Sequence, residues 1–254
     1  MKQKIAKKIQ DKVFISRIHL WRLFVGFSIL LLTISCSAPS TAAQGPIHNY
    51  YVDYNLGSDQ NSGYQDLPWQ TIQKAANTLI PGDTVTVAAG NYPERIVVNH
   101  SGTSGFPITF QAEGIVTMNG FTINANYIKV KNFEISDTEN DTTSGWGIFV
   151  QGSECDIENN YIHDATRGGI LIDAIAGSES LVTDCVIKNN RLYHNSQVGI
   201  EVHGCNHIVE GNEIWKTIQY HPKWLNPPSW EDADGVRFLG SGPFSAETIS
   251  TIFP

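Results

Sequence analysis

The chain has 254 residues, the length of a single domain, and its 25 Asp and Glu outnumber its 17 Lys and Arg, giving a formal charge of −8 at pH 7. This acidic balance argues against a nucleic-acid partner, because binding phosphates requires Lys and Arg to displace counterions. A polyanionic sugar chain would also be repelled unless a divalent cation lay between the two sets of carboxylates. Charge alone does not separate that arrangement from an ordinary soluble acidic surface.

The N-terminus predicts export. Residues 1–22 carry seven Lys or Arg and one acid, Asp11, and an apolar run of twelve residues follows at 23–34. A membrane-spanning helix needs about 20 apolar residues, so this run is too short to cross a bilayer and is typical of a signal peptide. Removing residues 1–43 takes away seven of the 17 basic and one of the 25 acidic side chains, which leaves 10 and 24, a formal charge of −14.

Two processing sites fit this segment. Thr41-Ala42-Ala43 suits ordinary signal peptidase, whereas Thr33-Ile34-Ser35-Cys36 resembles a bacterial lipoprotein box with Thr33 where Leu is usual. We favour the first site over the second. The sequence therefore predicts a secreted or cell-envelope protein, with membrane attachment only through a lipid on Cys36 if the second site is used.

Residues 44–81 predict an N-terminal strand and a short capping helix. Tyr50 to Asp53 suit a strand, and Pro81-Gly82 ends a helix predicted over residues 68–79. The apolar residues of this helix follow i, i+3, i+4, i+7 spacing and are Ile72, Ala75, Ala76 and Leu79. Because the first turn of a solenoid exposes its core and its strand edges, we expect the helix to cover that turn.

A six-residue phrase then recurs, with an apolar residue at each end and a polar centre that contains Asn. It occurs at residues 130–135, 157–162, 187–192 and 209–214. A Gly-Ile or Gly-Val pair follows each phrase, at Gly147, Gly169, Gly199 and Gly235, and the repeat closes in 22 residues where no loop is inserted. A period of this length predicts a solenoid.

A right-handed parallel β-helix over residues 82–240 is the predicted fold, because the units are rich in Ile, Val, Asn and Gly and contain no helical segment. A leucine-rich repeat is the competing interpretation. It requires leucines two and five positions upstream of the phrase, where this chain has Cys, Gly, Val or His. We expect Ile157, Ile187 and Val209 to form one inward stack.

The polar positions of the phrase have a structural interpretation. We expect its Asn to lie at a tight bend, where Asn tolerates a left-handed backbone, and to hydrogen-bond from turn to turn. Cys155 and Cys185 fall on successive turns about 4.8 Å apart, within reach of a disulfide. With Cys205 the mature count is odd, so we favour buried thiols that fill space.

One loop is much longer than its equivalents and is the predicted site. From Ile214 to Gly235 is 21 residues, whereas the corresponding interval is seven in the two preceding units. Long loops on a regular scaffold usually carry binding residues, and Trp rings stack on sugars, although the same rings could simply seal the loop onto the wall. The candidate residues are Trp224, Trp230, Glu231, Asp232, Asp234 and Arg237.

The head and the repeats together resemble the pectate-lyase-type β-helices of polysaccharide lyase family 9, over about residues 50–240. The similarity rests on 51–53, 57–59, 68–75, 81–85, 90–92 and Ala233-Asp234-Gly235. It implies an exported, calcium-dependent lyase that acts on an acidic, pectate-like polysaccharide. In that family the Asp matching Asp234 helps to hold calcium, a later Asp-Asp-Gly supplies further carboxylates, and a Lys removes the proton before elimination.

The chain departs from this pattern. No second Asp-Asp-Gly follows Asp234, no Lys follows Lys223, and the irregular tail at 241–254 carries neither the phrase nor an amphipathic cap. We therefore expect a truncated relative in which the catalytic half is missing and activity is slow or absent. Asp234, aided by Asp232 or Glu231, would form a weak calcium site, beside substrate contacts from Trp224, Trp230 and Arg237.

Two other functions remain open. One is a carbohydrate-binding or cell-surface β-helix without chemistry. The other is a hydrolase of polygalacturonase type, which needs a facing pair of carboxylates; Asp232 and Asp234 lie in one strand segment and do not supply that pair.

Overall fold

The chain divides into two compact units, Met1–Gly45 and Pro46–Pro254, and all of the elements below lie in the second. The computed structural model describes residues 45–139, 143–173, 182–218, 234–239, 245–247 and 250–252, and only the backbone of 234, 245–247 and 250–252. The predicted signal peptide lies outside these residues. Among the helices described, none is long and apolar enough to cross a membrane.

The second unit is a parallel β-helix, as predicted. It begins with the short strand β1 (Asn49–Val52), which is followed by two long strands, β2 (Thr84–Val98) and β3 (Ile108–Ile123). Every later turn breaks into short strands, and all registered strand pairs are parallel. The registers stack these strands into three sheets that form the walls of the coil.

The first sheet contains β4 (Ile128–Lys131), β7 (Asp156–Glu158), β10 (Val186–Lys188), β13 (Ile208–Glu210) and β16 (Ser245–Glu247). The second contains β5 (Glu134–Ile135), β8 (Tyr161–His163), β11 (Arg191–Tyr193), β14 (Glu213–Trp215) and β17 (Ser250–Ile252). The third contains β6 (Trp146–Val150), β9 (Gly168–Ile172), β12 (Val198–His203) and β15 (Asp234–Leu239). β2 and β3 run through all three walls.

The core is a set of columns along the axis. Ile187 is paired with Ile157 on one side and with Val209 on the other, and none of the three is exposed. The predicted inward stack is therefore confirmed, and the 22-residue offset from Ile187 to Val209 is the period seen in the sequence. Inward alternation along each short strand excludes these side chains from water, which is the main stabilising contribution of the fold.

The Asn residues of the phrase divide into two roles. The Asn at the third position of each phrase has a left-handed backbone, with φ of 69° at Asn132, 57° at Asn159 and 55° at Asn189. In the last phrase this position is occupied by Gly211, with φ of 62°. The Asn at the fourth position is buried and forms the expected ladder: the Nδ2 of Asn160 donates to the Oδ1 of Asn190 (3.1 Å), and the Nδ2 of Asn190 donates to the Oδ1 of Asn212 (3.0 Å).

The Gly after each phrase is required by close packing at the entry to the third sheet. A Cβ on Gly199 would lie 2.6 Å from the carbonyl oxygen of Gly235 and 2.6 Å from a methyl of Ile214. A Cβ on Gly147 or on Gly169 would clash in the same way with residues of the next turn. The repeated Gly is therefore a consequence of how tightly successive turns approach one another.

The three cysteines within the described residues are free thiols, as favoured above. Cys155 and Cys185 are buried in the core, and Cys205 is partly exposed. A hydrogen bond with Cys185, together with burial, raises the pKa of Cys155 well above its usual range. Cys155 is thus a protonated, space-filling side chain.

The head differs from the prediction in the length of its helix. We expected a helix over 68–79, but α1 spans only Ile72–Ala76. Trp69 is bound to strand β1, since its N–H donates to the Tyr51 carbonyl at 2.9 Å, and this contact holds the preceding chain extended. Thr71 caps the helix and accepts from the Lys74 N–H.

Arg95 ties the first turns together beneath the third sheet. Its guanidinium donates to the Thr122 hydroxyl at 3.0 Å and to the Trp146 carbonyl at 2.7 Å. It also donates to the carbonyls of Phe121, Asn119, Ser144 and Thr143. A single side chain thereby satisfies backbone carbonyls from two segments of the chain, 119–121 and 143–146.

Candidate functional site

The outer face of the third sheet carries two different kinds of surface. Residues that alternate with the core side chains form registered rows across successive turns. One row runs Phe149, Leu171, Glu201 and Arg237. It therefore changes from apolar to charged between β9 and β12.

The apolar half of this face is a second hydrophobic cluster, separate from the core. It consists of Trp146, Phe149, Leu171 and Val198, each at most 7% exposed. Burial of such side chains outside the coil excludes water from the neighbouring polar groups. Electrostatic interactions beside this cluster are consequently stronger than on an open surface.

The charged half is a linked group of four side chains, which we call the β12 network: Asp173, Glu201, His203 and Arg237. Glu201 is at its centre. Its Oε2 accepts from the Nη1 of Arg237 at 3.0 Å, and its Oε1 lies 2.8 Å from the Nε2 of His203. The Nδ1 of His203 is 3.6 Å from an Asp173 carboxylate oxygen, within ion-pair range.

The β12 network comes from three successive turns of the coil. Asp173 follows β9, Glu201 and His203 belong to β12, and Arg237 belongs to β15. The Glu201 side chain is only 13% exposed, whereas the His203 and Arg237 side chains are 29% and 28% exposed. A largely buried carboxylate thus orients one imidazole and one guanidinium toward the solvent side of the sheet.

The structure locates two of the six predicted site residues. Arg237 belongs to the β12 network, and the backbone of Asp234 is paired with Val198. The other four lie outside the described residues: Trp224, Trp230, Glu231 and Asp232. Prediction from the sequence missed Glu201 and His203, although their alternation with buried Ile200 and Val202 shows that they point outward.

The described residues do not by themselves provide a calcium site. Within them, no group of three or more His, Cys, Asp or Glu side chains is arranged to hold a metal ion. The residues registered with Asp234 on the two preceding turns are Val198 and Gly168, which supply no side-chain oxygen. Calcium prefers six to eight oxygen ligands, so the calcium site predicted from the sequence would need the predicted residues that lie outside the described part.

Another cluster of titratable side chains lies at the second sheet, away from the outer face of the third sheet. Asp164 accepts from two imidazoles, with its carboxylate oxygens 2.7 Å from the Nδ1 of His163 and 2.7 Å from the Nδ1 of His194. Burial acts to raise the pKa of Asp164, but the hydrogen bonds from the two histidines outweigh it, and the pKa is lowered.

Comparison with known proteins finds the same β-helix fold in several solved structures. Solved structures with the same fold include XylC in complex with xylose, with a TM-score of 0.61 and 16% identity over 75% of this chain and 56% of that one. The GH136 lacto-N-biosidase from Eubacterium ramulus has a TM-score of 0.57 and 19% identity over 67% and 42% of the two chains. Pectate lyase Pel9A has a TM-score of 0.52 and 18% identity over 80% and 62%. Identities this low establish a shared fold.

At the sequence level, the uncharacterized protein YwoF of Bacillus subtilis (strain 168) is 34% identical over 131 residues, covering 44% of this chain and 28% of YwoF. The chain thus spans less than a third of YwoF and less than half of the lacto-N-biosidase. The model of the Pel9A-like right-handed β-helix region matches residues 50–222, which include the head, the repeated phrases and β12. This chain therefore belongs to the Pel9A-like right-handed β-helix family.

Proposed function

We propose that this protein is exported and binds an acidic polysaccharide along the outer face of the third sheet. The observation that carries this proposal is the β12 network, in which Glu201 holds His203 and Arg237 side by side on adjacent turns. A guanidinium and an imidazole are both hydrogen-bond donors to a sugar carboxylate.

The sugar assignment has two supports. Family members and structural neighbours include proteins named as a pectate lyase, a lacto-N-biosidase and a xylose complex. In addition, the turns of the coil repeat about every 4.8 Å. A linear sugar chain that lies along the axis would therefore meet one registered position of the sheet at each turn.

We also propose that a calcium ion bridges carboxylates of the protein and of the sugar. Asp234, with Glu231 or Asp232, would hold the ion beside Trp224 and Trp230, and the ion would relieve repulsion between sugar and protein carboxylates. A chain with so few carboxylates should bind calcium weakly. Calorimetry with calcium and Asp234→Ala tests this part, and equal affinity in the two proteins would remove Asp234 from the site.

Binding is tested with polygalacturonate and with an uncharged galactan as the control polymer. Wild-type protein should be retained by polygalacturonate only. Arg237→Gln should weaken retention by about tenfold or more, because a charge-assisted hydrogen bond is lost. Arg191→Gln is the matched control, since it removes the same charge from the second sheet. Equal retention of the two variants would count against the third-sheet face.

A second candidate function is β-elimination, favoured by the position of His203 between two carboxylates. Glu201, which faces the Nε2, would keep a proton on that nitrogen, so that the Nδ1 accepts the proton from C5 of a uronate and the imidazolium is stabilised by Glu201 and Asp173. The C5 electron pair then forms a C4–C5 double bond as the bond from C4 to the glycosidic oxygen breaks, and water protonates the leaving oxygen. Formation of the unsaturated product is followed by its ultraviolet absorbance. Lyase activity that disappears in His203→Gln would support this candidate. If the wild-type protein shows no lyase activity, β-elimination is ruled out and polysaccharide binding remains as the proposed function.

Export is tested separately. The N-terminal prediction requires that the protein recovered from outside the cytoplasm lacks residues 1–43, or lacks 1–35 and carries lipid on Cys36. Mass spectrometry of the purified protein distinguishes these forms, and an intact Met1 terminus in the cytoplasm would contradict export.

A further inference from the structure

Three buried polar atoms lie at the turn that leads from the second sheet into the third. Within the described residues, the buried side-chain nitrogen and oxygen atoms that lack a hydrogen-bond partner are the Nε of Arg167, the Oγ of Ser196 and the Nε2 of Gln197. Ser196 is 0% exposed and Gln197 is 4% exposed. We call these three residues the donor cluster.

The members of the donor cluster lie at registered backbone positions on two adjacent turns. Arg167 directly precedes Gly168, and Gln197 directly precedes Val198, and Gly168 and Val198 are paired in the third sheet. Arg167 and Gln197 therefore occupy the same position on adjacent turns, about 4.8 Å apart along the axis. Val198 is in turn paired with Asp234, so the cluster borders the proposed binding face.

At the equivalent position one turn earlier, the side-chain hydroxyl has hydrogen-bond partners. Thr166 precedes Ser196 by 30 residues, the same offset that separates Tyr161 from Arg191 in the paired strands β8 and β11. The Thr166 hydroxyl donates to the Glu139 carbonyl and lies 3.2 Å from the Thr138 hydroxyl. On the next turn Ser196 keeps the hydroxyl but has no such partner for it.

An unpaired buried polar group destabilises a fold, so three such groups on adjacent turns indicate that a partner is supplied from elsewhere. Gln197 adds to this cost, because its φ of 58° is in the left-handed region that Asn and Gly tolerate better. The guanidinium and the amide nitrogen are donors only, and the hydroxyl is able to donate. The missing partner must accept several hydrogen bonds, and the cation of Arg167 favours one that is negatively charged.

We propose that Arg167, Ser196 and Gln197 form a binding site for a carboxylate, with the fork of Arg167 and the amide of Gln197 donating to its two oxygens and the Ser196 hydroxyl adding a third bond. Arg167 is only half-buried, so the site reaches the surface at Arg167, whereas Ser196 and Gln197 lie beneath that surface. The choice of a uronic acid as the carrier of that carboxylate rests on the proposed function. The site itself is distinct from the β12 network.

The test is a titration, followed by protein NMR, with D-galacturonate and with D-galactose, which has the same ring but no carboxylate. Galacturonate should bind and galactose should not. Arg167→Gln should weaken galacturonate binding by about tenfold or more, and Ser196→Ala by roughly threefold. Arg191→Gln, which removes the same charge from the second sheet, should leave it unchanged.

Thermal denaturation separates loss of binding from loss of structure. Because the Ser196 hydroxyl has no hydrogen-bond partner among the described residues, Ser196→Ala without ligand should be as stable as the wild type or more stable. Three results would each overturn the inference: no galacturonate binding, equal binding of the two sugars, or unchanged affinity in both variants. If polygalacturonate is still retained in those cases, the proposed function stands without this site; if polygalacturonate also fails to bind, both fall.

Discussion

The buried Asn ladder makes a quantitative prediction about stability. Asn190 is fully buried and makes four side-chain hydrogen bonds. Its Oδ1 accepts from the N–H of Asn160 at 2.9 Å and from the Nδ2 of Asn160 at 3.1 Å. Its Nδ2 donates to the carbonyl of Ile157 at 2.9 Å and to the Oδ1 of Asn212 at 3.0 Å.

The substitution Asn190→Ala leaves one of these partner groups without a substitute. The Asn160 Nδ2 keeps the Val130 carbonyl, at 3.1 Å, and the Asn212 Oδ1 keeps the backbone N–H of residue 190, at 2.9 Å. The Ile157 carbonyl keeps the backbone N–H of residue 188 in the parallel pairing of β7 and β10. The Asn160 N–H loses its partner inside the core, and for one buried unpaired group the expected loss is about 1–3 kcal/mol, a substantial part of a typical domain's free energy of unfolding.

Chemical denaturation followed by circular dichroism measures this loss. Asn189→Gly is the matched control, because Asn189 is the exposed neighbour on the same turn and Gly211 already occupies its position on the next. It should change the free energy of unfolding by less than about 1 kcal/mol. The reasoning would be refuted if Asn190→Ala were as mild as the control, or if the control were equally damaging.

Three further predictions concern other parts of the coil. Arg95→Lys should destabilise the protein by about 2 kcal/mol or more in urea denaturation, because an ammonium cannot reach the separate carbonyls that the planar guanidinium joins; a midpoint equal to wild type would contradict this. In the native protein Cys205 should react with a thiol reagent well before Cys155, whose thiol is buried with a raised pKa, and mass spectrometry of the labelled peptides would show any reversal. The lowered pKa of Asp164 means that its stabilising contribution is present above the unfolded-state pKa, near about 4, and is lost as pH falls through the lower folded-state pKa; the stability difference between wild type and Asp164→Asn should therefore be larger at about pH 6 than at about pH 2, and a difference that grows with acid would be inconsistent.

The repeated phrase by itself determined the architecture of this protein. Alternation of apolar and polar residues in a short strand dictates which side chains are buried, and a 22-residue period places Ile187 over Val209 without any knowledge of loops. The Asn and Gly positions followed from the same local chemistry, because left-handed bends and close approaches restrict the residues that fit. The helix over 68–79 was too long since its periodicity could not reveal that Trp69 pairs with strand β1.

The β12 network and the donor cluster were decided only by the tertiary structure. Glu201 and Arg237 are 36 residues apart, Asp173 and His203 are 30 apart, and Arg167 and Gln197 are 30 apart. These intervals depend on inserted loops of different length, so the sequence period does not predict which outward residues become neighbours. Local periodicity decides which way a side chain points, whereas the register between turns, set by packing of the whole coil, decides what it meets there.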